Sequence, residues 1–201
     1  MDVETVTPNA PLPPAPGADE HVSLELANSA VQVPTRGVVE LLGTPAAATR
    51  WLVERGLAPG GAELQDYCAG LLTDLRGHVR ALLDAAVRET PPPDPALTEV
   101  NRALTLTPTA QLLGWTPADG FHRVISHPTT RLVEHALVTI AADAVSLVSG
   151  PEATQLATCG AEPCNRYMLR THARRHWCSK RCGDRVRAAR SYARRNVDAD
   201  S

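Results

Sequence analysis

Cys159-Gly-Ala-Glu-Pro-Cys164, thirteen intervening residues, then Cys178-Ser-Lys-Arg-Cys182-Gly-Asp-Arg185: this stretch decides how the chain is read. Four of the five cysteines in 201 residues fall within 24 positions, in two close pairs. A Cys-x4-Cys and Cys-x3-Cys arrangement suits one tetrahedral, all-thiolate zinc ion. Each pair closes a tight turn on the metal, and the segment between is long enough to return as a hairpin. The expected cofactor is one structural Zn2+ held by Cys159, Cys164, Cys178 and Cys182. With four thiolates there is no open coordination position, so the centre is expected to be structural and not catalytic. His172 and His176 flank the site as alternative ligands, but four well-spaced thiolates make them unnecessary. The fifth cysteine, Cys68, lies in an apolar helical pattern and reads as a small core residue.

Outward from the cysteines, Arg166-Tyr-Met-Leu169 and Arg175-His-Trp-Cys178 are expected to pair as two short strands. Ser179 is a good helix N-cap, and a helix should run from there to about Arg195. Knuckle, hairpin, then a helix carrying the second ligand pair describes a treble-clef finger. The positive end of that helix dipole faces the thiolates and favours an anionic centre. Cys182, Val186, Ala189 and Ala193 fall within about 60° of helical arc, so this stripe is expected to pack on the hairpin. Arg181, Arg185 and Arg195 lie on one flank, and Arg187, Arg190 and Arg194 on the other. Trp177 reads as finger core more than as a base-stacking platform.

The charge is strongly asymmetric. Residues 1–158 hold nine Arg and no Lys against 18 acidic residues, a net of −9; residues 159–201 hold ten Arg and one Lys against four acidic residues, a net of +7. Four thiolates and one zinc ion together carry about −2 formally, so the finger stays near +5 when metal-loaded. A basic module on an acidic body points to a polyanionic partner. Arg forks bind phosphate bidentately and reach guanine O6 and N7. The expected nucleic-acid contacts are Arg166, Arg170, Arg174, Arg175, Lys180, Arg181, Arg185, Arg187, Arg190, Arg194 and Arg195.

The remainder reads as mainly helical. Residues 1–20 contain five prolines and are expected to form a disordered leader. They lack the basic and apolar regions of a signal peptide. Val22 to Ser29 is a short amphipathic helix or strand. Thr44-Pro45 is an N-cap followed by proline at the first helical position, opening a helix to about Arg55 with Trp51 and Leu52 inward. From Glu63 to about Glu89, Leu64, Cys68, Leu71, Leu72, Leu75, Val79, Leu82, Leu83 and Ala86 recur at helical spacing. Arg76, Arg80 and Arg88 sit off that stripe as solvated or salt-bridged groups. Pro91-Pro92-Pro93 stops this helix, and Asp94-Pro95 starts another with Leu97, Val100 and Leu104 in phase. Residues 111–115 and 121–125 read as a hairpin. A last helix spans about Thr129 to Val148, with Leu132, Ala136, Ile140, Ala144 and Leu147 on one side. Its most apolar run, Ala136 to Val148, contains Asp143 and is too short to span a bilayer. His21, His78, His122, His127 and His135 are scattered, and no ligand set or catalytic constellation is legible among them. The chain is therefore not expected to be an enzyme.

Trp177-Cys178-Ser179-x-x-Cys182-Gly183-Asp184-Arg185, after Cys159-x4-Cys164, resembles the CGNR zinc finger of bacterial proteins. Leu24-Glu-Leu-Ala-Asn28-Ser29 resembles the Leu-Asp-Phe-x-Asn-Thr opening of the ABATE domain, which precedes that finger. The resemblance covers about residues 22–195. It implies a stress-related transcription regulator with a treble-clef DNA-binding finger, and an N-terminal domain that senses a ligand or mediates contacts. Asp184 stands where the family name has Asn. It keeps a side-chain acceptor, loses the amide donor, and adds a charge that disfavours phosphate.

The expected fold is α+β: a leader (1–20), a mainly helical regulatory domain with a small β-hairpin (21–157), a treble-clef finger (158–196) and a tail (197–201). The expected function is a cytoplasmic, zinc-containing transcription regulator that binds DNA. A ligand of the N-terminal domain, a homodimer and no membrane association complete the reading. RNA binding is the alternative, as is a protein-interaction adaptor whose finger docks on an acidic partner or on its own acidic body.

Overall fold

The computed structural model describes residues 13–34, 37–107, 110–118, 120–126 and 131–199. Its helices are α1 (Val22–Ala27), α2 (Pro45–Glu54), α3 (Asp66–Arg88), α4 (Asp94–Leu104), α5 (Leu132–Ser149) and α6 (Lys180–Ala199). Three two-stranded antiparallel ladders separate them: β1 (Ala30–Val33) with β2 (Gly37–Glu40), β3 (Ala110–Thr116) with β4 (Gly120–Ser126), and β5 (Leu156–Thr158) with β6 (Tyr167–Leu169). The mixed α+β class is as expected. Residues 1–12 of the leader, His127, and the expected helix start at Thr129 lie outside the described residues.

Local signals account for most element ends. Thr44 Oγ1 accepts from the Ala47 amide at 3.2 Å, and Pro45 occupies the first turn of α2, where a missing N–H costs nothing. Gly56 takes φ +66° just beyond α2, a left-handed conformation open to glycine without a Cβ penalty. α3 stops at Glu89 before the three prolines.

α5 is the central helix. Nine of its side chains are buried, among them Ala136, Ile140, Ala144 and Leu147, and it packs on α1, α3 and α4. Its 18 residues are long and apolar enough to cross a membrane by length and composition, yet half of that surface is spent on the protein core. α3 contributes Leu72, Leu75, Val79, Leu82 and Leu83 to the same core, at about 1.5–3 kcal/mol for each fully buried aliphatic side chain. Cys68 lies half-buried against it. On α4 the buried face is Ala96, Val100 and Ala103, while Leu97 is exposed. The small Ala positions, invisible to a hydrophobic count, allow close helix approach.

β5–β6 joins two cores. Leu156 pairs with Leu169, Ala157 with Met168, and Thr158 with Tyr167. Side chains alternate across a strand. Leu156, Tyr167 and Leu169 therefore enter the helical core, whereas Ala157 and Met168 enter a second core with Cys159, Ala161, Cys178 and Cys182. The finger is thus sewn to the body through one hairpin.

Two expectations are corrected here. The leader is not free up to residue 20: Ala15 and Ala18 are buried in the finger core. Gly17 takes φ +84° so tightly against Leu169 that a Cβ would lie 2.7 Å from its side chain, and Pro16 O accepts from Leu169 N at 2.8 Å. The finger hairpin also differs. β6 pairs backwards across the first cysteine pair to β5, and residues 170–179 form no strand. The partner strand lies before Cys159 because Leu156 and Ala157 supply the two-sided burial that Arg175 and His176 cannot.

Candidate metal centre and nucleic-acid interface

The first cysteine pair sits in the loop of β5–β6. The Cys159 amide donates to Arg166 O at 2.9 Å and the Cys164 amide to Ala161 O at 2.9 Å, which closes the knuckle. The second pair spans the entry to α6. Ser179 Oγ accepts from the Cys182 amide at 3.3 Å as the expected N-cap. Two contacts lock the halves together: the Gly160 amide donates to His176 O at 2.9 Å, and Arg185 of α6 reaches the Ala161 and Glu162 carbonyls.

The four Sγ atoms lie within 4.8 Å of one another, and all four are free thiols. Cys178 Sγ is 3.8 Å from Cys164 Sγ and 3.7 Å from Cys182 Sγ. A zinc–sulfur bond of about 2.3 Å in a tetrahedron puts neighbouring sulfurs about 3.8 Å apart. Sulfurs joined in a disulfide would stand about 2.05 Å apart. The donor set therefore fits one structural Zn2+.

The four sulfurs perturb one another's titration. Hydrogen bonds from the Cys164 and Cys178 thiols hold Cys159 down to about 6. Contacts with Cys159, Cys164 and Cys178 push Cys182 down as well. Cys164 and Cys178 are pushed up, foremost by their contact with Cys159. A divalent cation among the four sulfurs would favour the thiolate form of each. The Cys178 amide, 3.4 Å from Cys159 Sγ, and Arg166, 3.8 Å from Cys178 Sγ, add positive character around the sulfurs. When bound, the ion cross-links the knuckle to the start of α6. The finger core otherwise holds few large side chains beyond Met168 and Trp177, and so small a core needs such a staple.

Gly183 in the first turn of α6 has a specific job. A Cβ there would lie 2.9 Å from the Trp177 ring and 3.2 Å from the Arg187 guanidinium. Trp177 is half-buried in the finger core with Arg187 stacked 5.4 Å from its ring centroid. Asp184 is exposed and accepts from Arg187 at 2.5 Å.

The expected nucleic-acid contacts separate into two groups. Arg166 is buried at 5 % exposure: it donates to Pro13 O at 2.8 Å beneath the N-terminal segment, so it is withdrawn from any surface. Arg185 is spent on the knuckle carbonyls, and Arg175 is half-buried with a bond to Thr171 Oγ1 at 3.3 Å. Arg187 is exposed but engaged with Asp184 and Trp177. The side chains of Arg170, Arg174, Lys180, Arg181, Arg190, Arg194 and Arg195 are exposed and make no hydrogen bond or ion pair among the described residues. Lys180, Arg187, Arg190 and Arg194 fall within about 80° of helical arc at 3.6 residues per turn. The expected packing stripe on α6 is shorter than its pattern. Cys182 is buried and Val186 half-buried, but Ala189 and Ala193 are exposed, since the hairpin ends before reaching them. From Arg187 to Arg195, Ser191 apart, α6 is therefore exposed, and it carries four arginines there.

Sequence reading missed the residues that hold finger and body in register. The outer edge of β6 would leave backbone groups bare, yet Asn28 Oδ1 accepts from Tyr167 N at 2.8 Å and Asn28 Nδ2 donates to Tyr167 O at 2.8 Å. Arg80 donates to Ala27 O at 2.6 Å and Asn165 O at 3.0 Å, and lies 4.9 Å from the Tyr167 ring centroid. Asn28 stands in the Leu24–Ser29 motif, the one sequence signal that could have marked it.

Among families of known proteins, the model described as "Putative stress-induced transcription regulator", ABATE, matches residues 20–151. The CGNR zinc finger model matches residues 155–195. No curated protein matches the chain.

Proposed function

This chain belongs to the ABATE family and carries a CGNR zinc finger, and on that premise we propose that it is a cytoplasmic, non-enzymatic transcription regulator that grips DNA through α6 and the segment before it. One observation carries the reading. Seven cationic side chains of the finger are exposed and uncommitted among the described residues, while those closest to the metal are used up in holding the fold. Among the described residues no ion pair joins a finger arginine to an acidic side chain of the body, which supports a finger that its own body does not mask. The helical body would then modulate binding. A cleft of about 460 Å3 between α3, α4 and α5, lined by Tyr67, His78, Glu99 and Glu134 among others, is where a small ligand would act.

The test is fluorescence anisotropy of full-length, zinc-loaded protein with duplex DNA across a salt series. Five to seven phosphate contacts give a slope of log K against log salt of about −4.5 to −6. Replacing Arg190 and Arg194 with Ala should reduce the slope by about 2 and leave the melting temperature unchanged. Arg166→Ala should lower stability and leave the slope alone. A preference for structured RNA in competition would reassign the polymer, and no binding at low salt would refute the proposal.

A further inference from the structure

We propose that Glu20, His21 and Glu152 form a second metal site, distinct from the four-cysteine centre, for an exchangeable first-row divalent ion held by nitrogen and oxygen. The inference is independent of whether the finger binds nucleic acid.

The argument begins with His21, which is 8 % exposed at the start of α1. Its Nδ1 lies 2.9 Å from Asp143 Oδ1. The other Asp143 oxygen accepts from the Ser23 amide at 2.8 Å and from Ser23 Oγ at 2.5 Å. An ionised carboxylate only accepts, so each ring nitrogen facing one carries a hydrogen; a metal would take the place of the Nε2 hydrogen while Nδ1 goes on donating to Asp143. That Nε2 points at Glu152 Oε2, 3.1 Å away. One ligand atom each from Glu20, His21 and Glu152 lies within 4.8 Å of the others.

A carboxylate behind one imidazole nitrogen, with the other nitrogen facing further carboxylates, is how proteins orient a metal-binding histidine. Bonds of about 2.0–2.2 Å place adjacent ligand atoms about 2.8–3.6 Å apart, from octahedral to tetrahedral geometry, and the 3.1 Å Nε2–Oε2 separation falls in that range. One imidazole and two carboxylates suit borderline ions such as Zn2+, Co2+ or Mn2+ over soft ones. Three protein ligands leave positions for water, so this ion would exchange where the tetrathiolate ion would not. Glu20 is exposed and Glu152 half-buried, so these two carboxylates are reachable from solvent.

The placement gives the site a consequence. Glu20 and His21 directly follow the segment that covers the outer edge of β6. Glu152 lies in the short 3-10 turn (Pro151–Gln155) that leads into β5. An ion shared by these residues ties together the two chain segments that flank the finger hairpin.

The experiment uses full-length protein with zinc already in the cysteine centre, titrated with Co2+ and followed by absorption, calorimetry and elemental analysis. The proposal expects a second equivalent of metal per chain, removable by mild chelation. Its cobalt spectrum should lack the intense thiolate charge-transfer bands. Glu20→Gln should weaken that equivalent at least ten-fold with an unchanged melting temperature, and Asp143→Asn should weaken it by about 10–100-fold. The Glu20→Gln, Glu152→Gln double variant, which keeps the shapes of both side chains, should bind one metal only. A single equivalent in the unaltered protein, a thiolate-type spectrum, or a second equivalent that survives in the double variant would each overturn the proposal and leave a histidine ion pair alone.

Discussion

Replacing Asn28 with Ala should uncouple the finger from the body, and the size of the effect follows from the bonds it breaks. The Asn28 amide makes both of its bonds to the backbone of Tyr167, each at 2.8 Å and buried. Ala leaves a buried N–H and a buried C=O without partners, at about 1–3 kcal/mol each, so the loss should be roughly 2–6 kcal/mol. For a chain of this size that corresponds to a fall in Tm of about 2–4 °C per kcal/mol. Asn28→Asp should be at least as damaging: its second oxygen would face the Tyr167 carbonyl, acceptor against acceptor, with a buried charge added. Urea unfolding of zinc-loaded protein measures the loss, and amide exchange at Tyr167 and Leu169 locates it. Because the β6 side chains enter both cores, protection should fall in the finger and at α1 together. A change below about 0.5 kcal/mol, the range of inert surface substitutions, or unaltered exchange at Tyr167, would refute the edge-pairing argument.

Three further outcomes are expected. Gly183→Ala should cost about 1–3 kcal/mol by overpacking against Trp177, seen as a lower Tm and a shifted tryptophan emission. Asp184→Asn should change stability by less than about 1 kcal/mol, because the pair with Arg187 is exposed; it should raise DNA affinity at low salt by removing a negative charge and releasing Arg187. Glu40 sets an acid limit: burial raises its pKa, but bonds from Arg76 and the Leu42 amide outweigh this and hold it below 4.5. Its contribution is present above the unfolded value and lost as pH falls through the folded one. Urea midpoints measured from pH 6 to pH 3 should therefore fall less steeply in Arg76→Met than in the unaltered protein.

The metal centre was legible because its ligands come in two local pairs, and a pair four or five positions apart closes a turn whatever surrounds it. Helix ends at Thr44 and Ser179, the break at the three prolines, and the apolar period of α3 are local in the same sense. The β1–β2 ladder was not legible: Val31 and Val39 pair, yet too few residues alternate on either strand to stand out. The finger hairpin was misjudged because its true partner strand is three residues long and lies on the far side of the first cysteine pair.

By itself the sequence determined the cysteine quartet, the helical body and the uneven division of charge, since these follow from spacing, period and composition along the chain. Only the tertiary structure decided which arginines are free. Arg166 and Arg170 are four positions apart and chemically identical, but the first lies under Pro13, 153 residues away, and the second faces solvent. Likewise His21 meets Asp143 across 122 residues and Asn28 meets Tyr167 across 139. Such pairings depend on how the helices stack and on which buried polar groups need partners, and that is settled by three-dimensional packing, not by the neighbours a residue has in the chain.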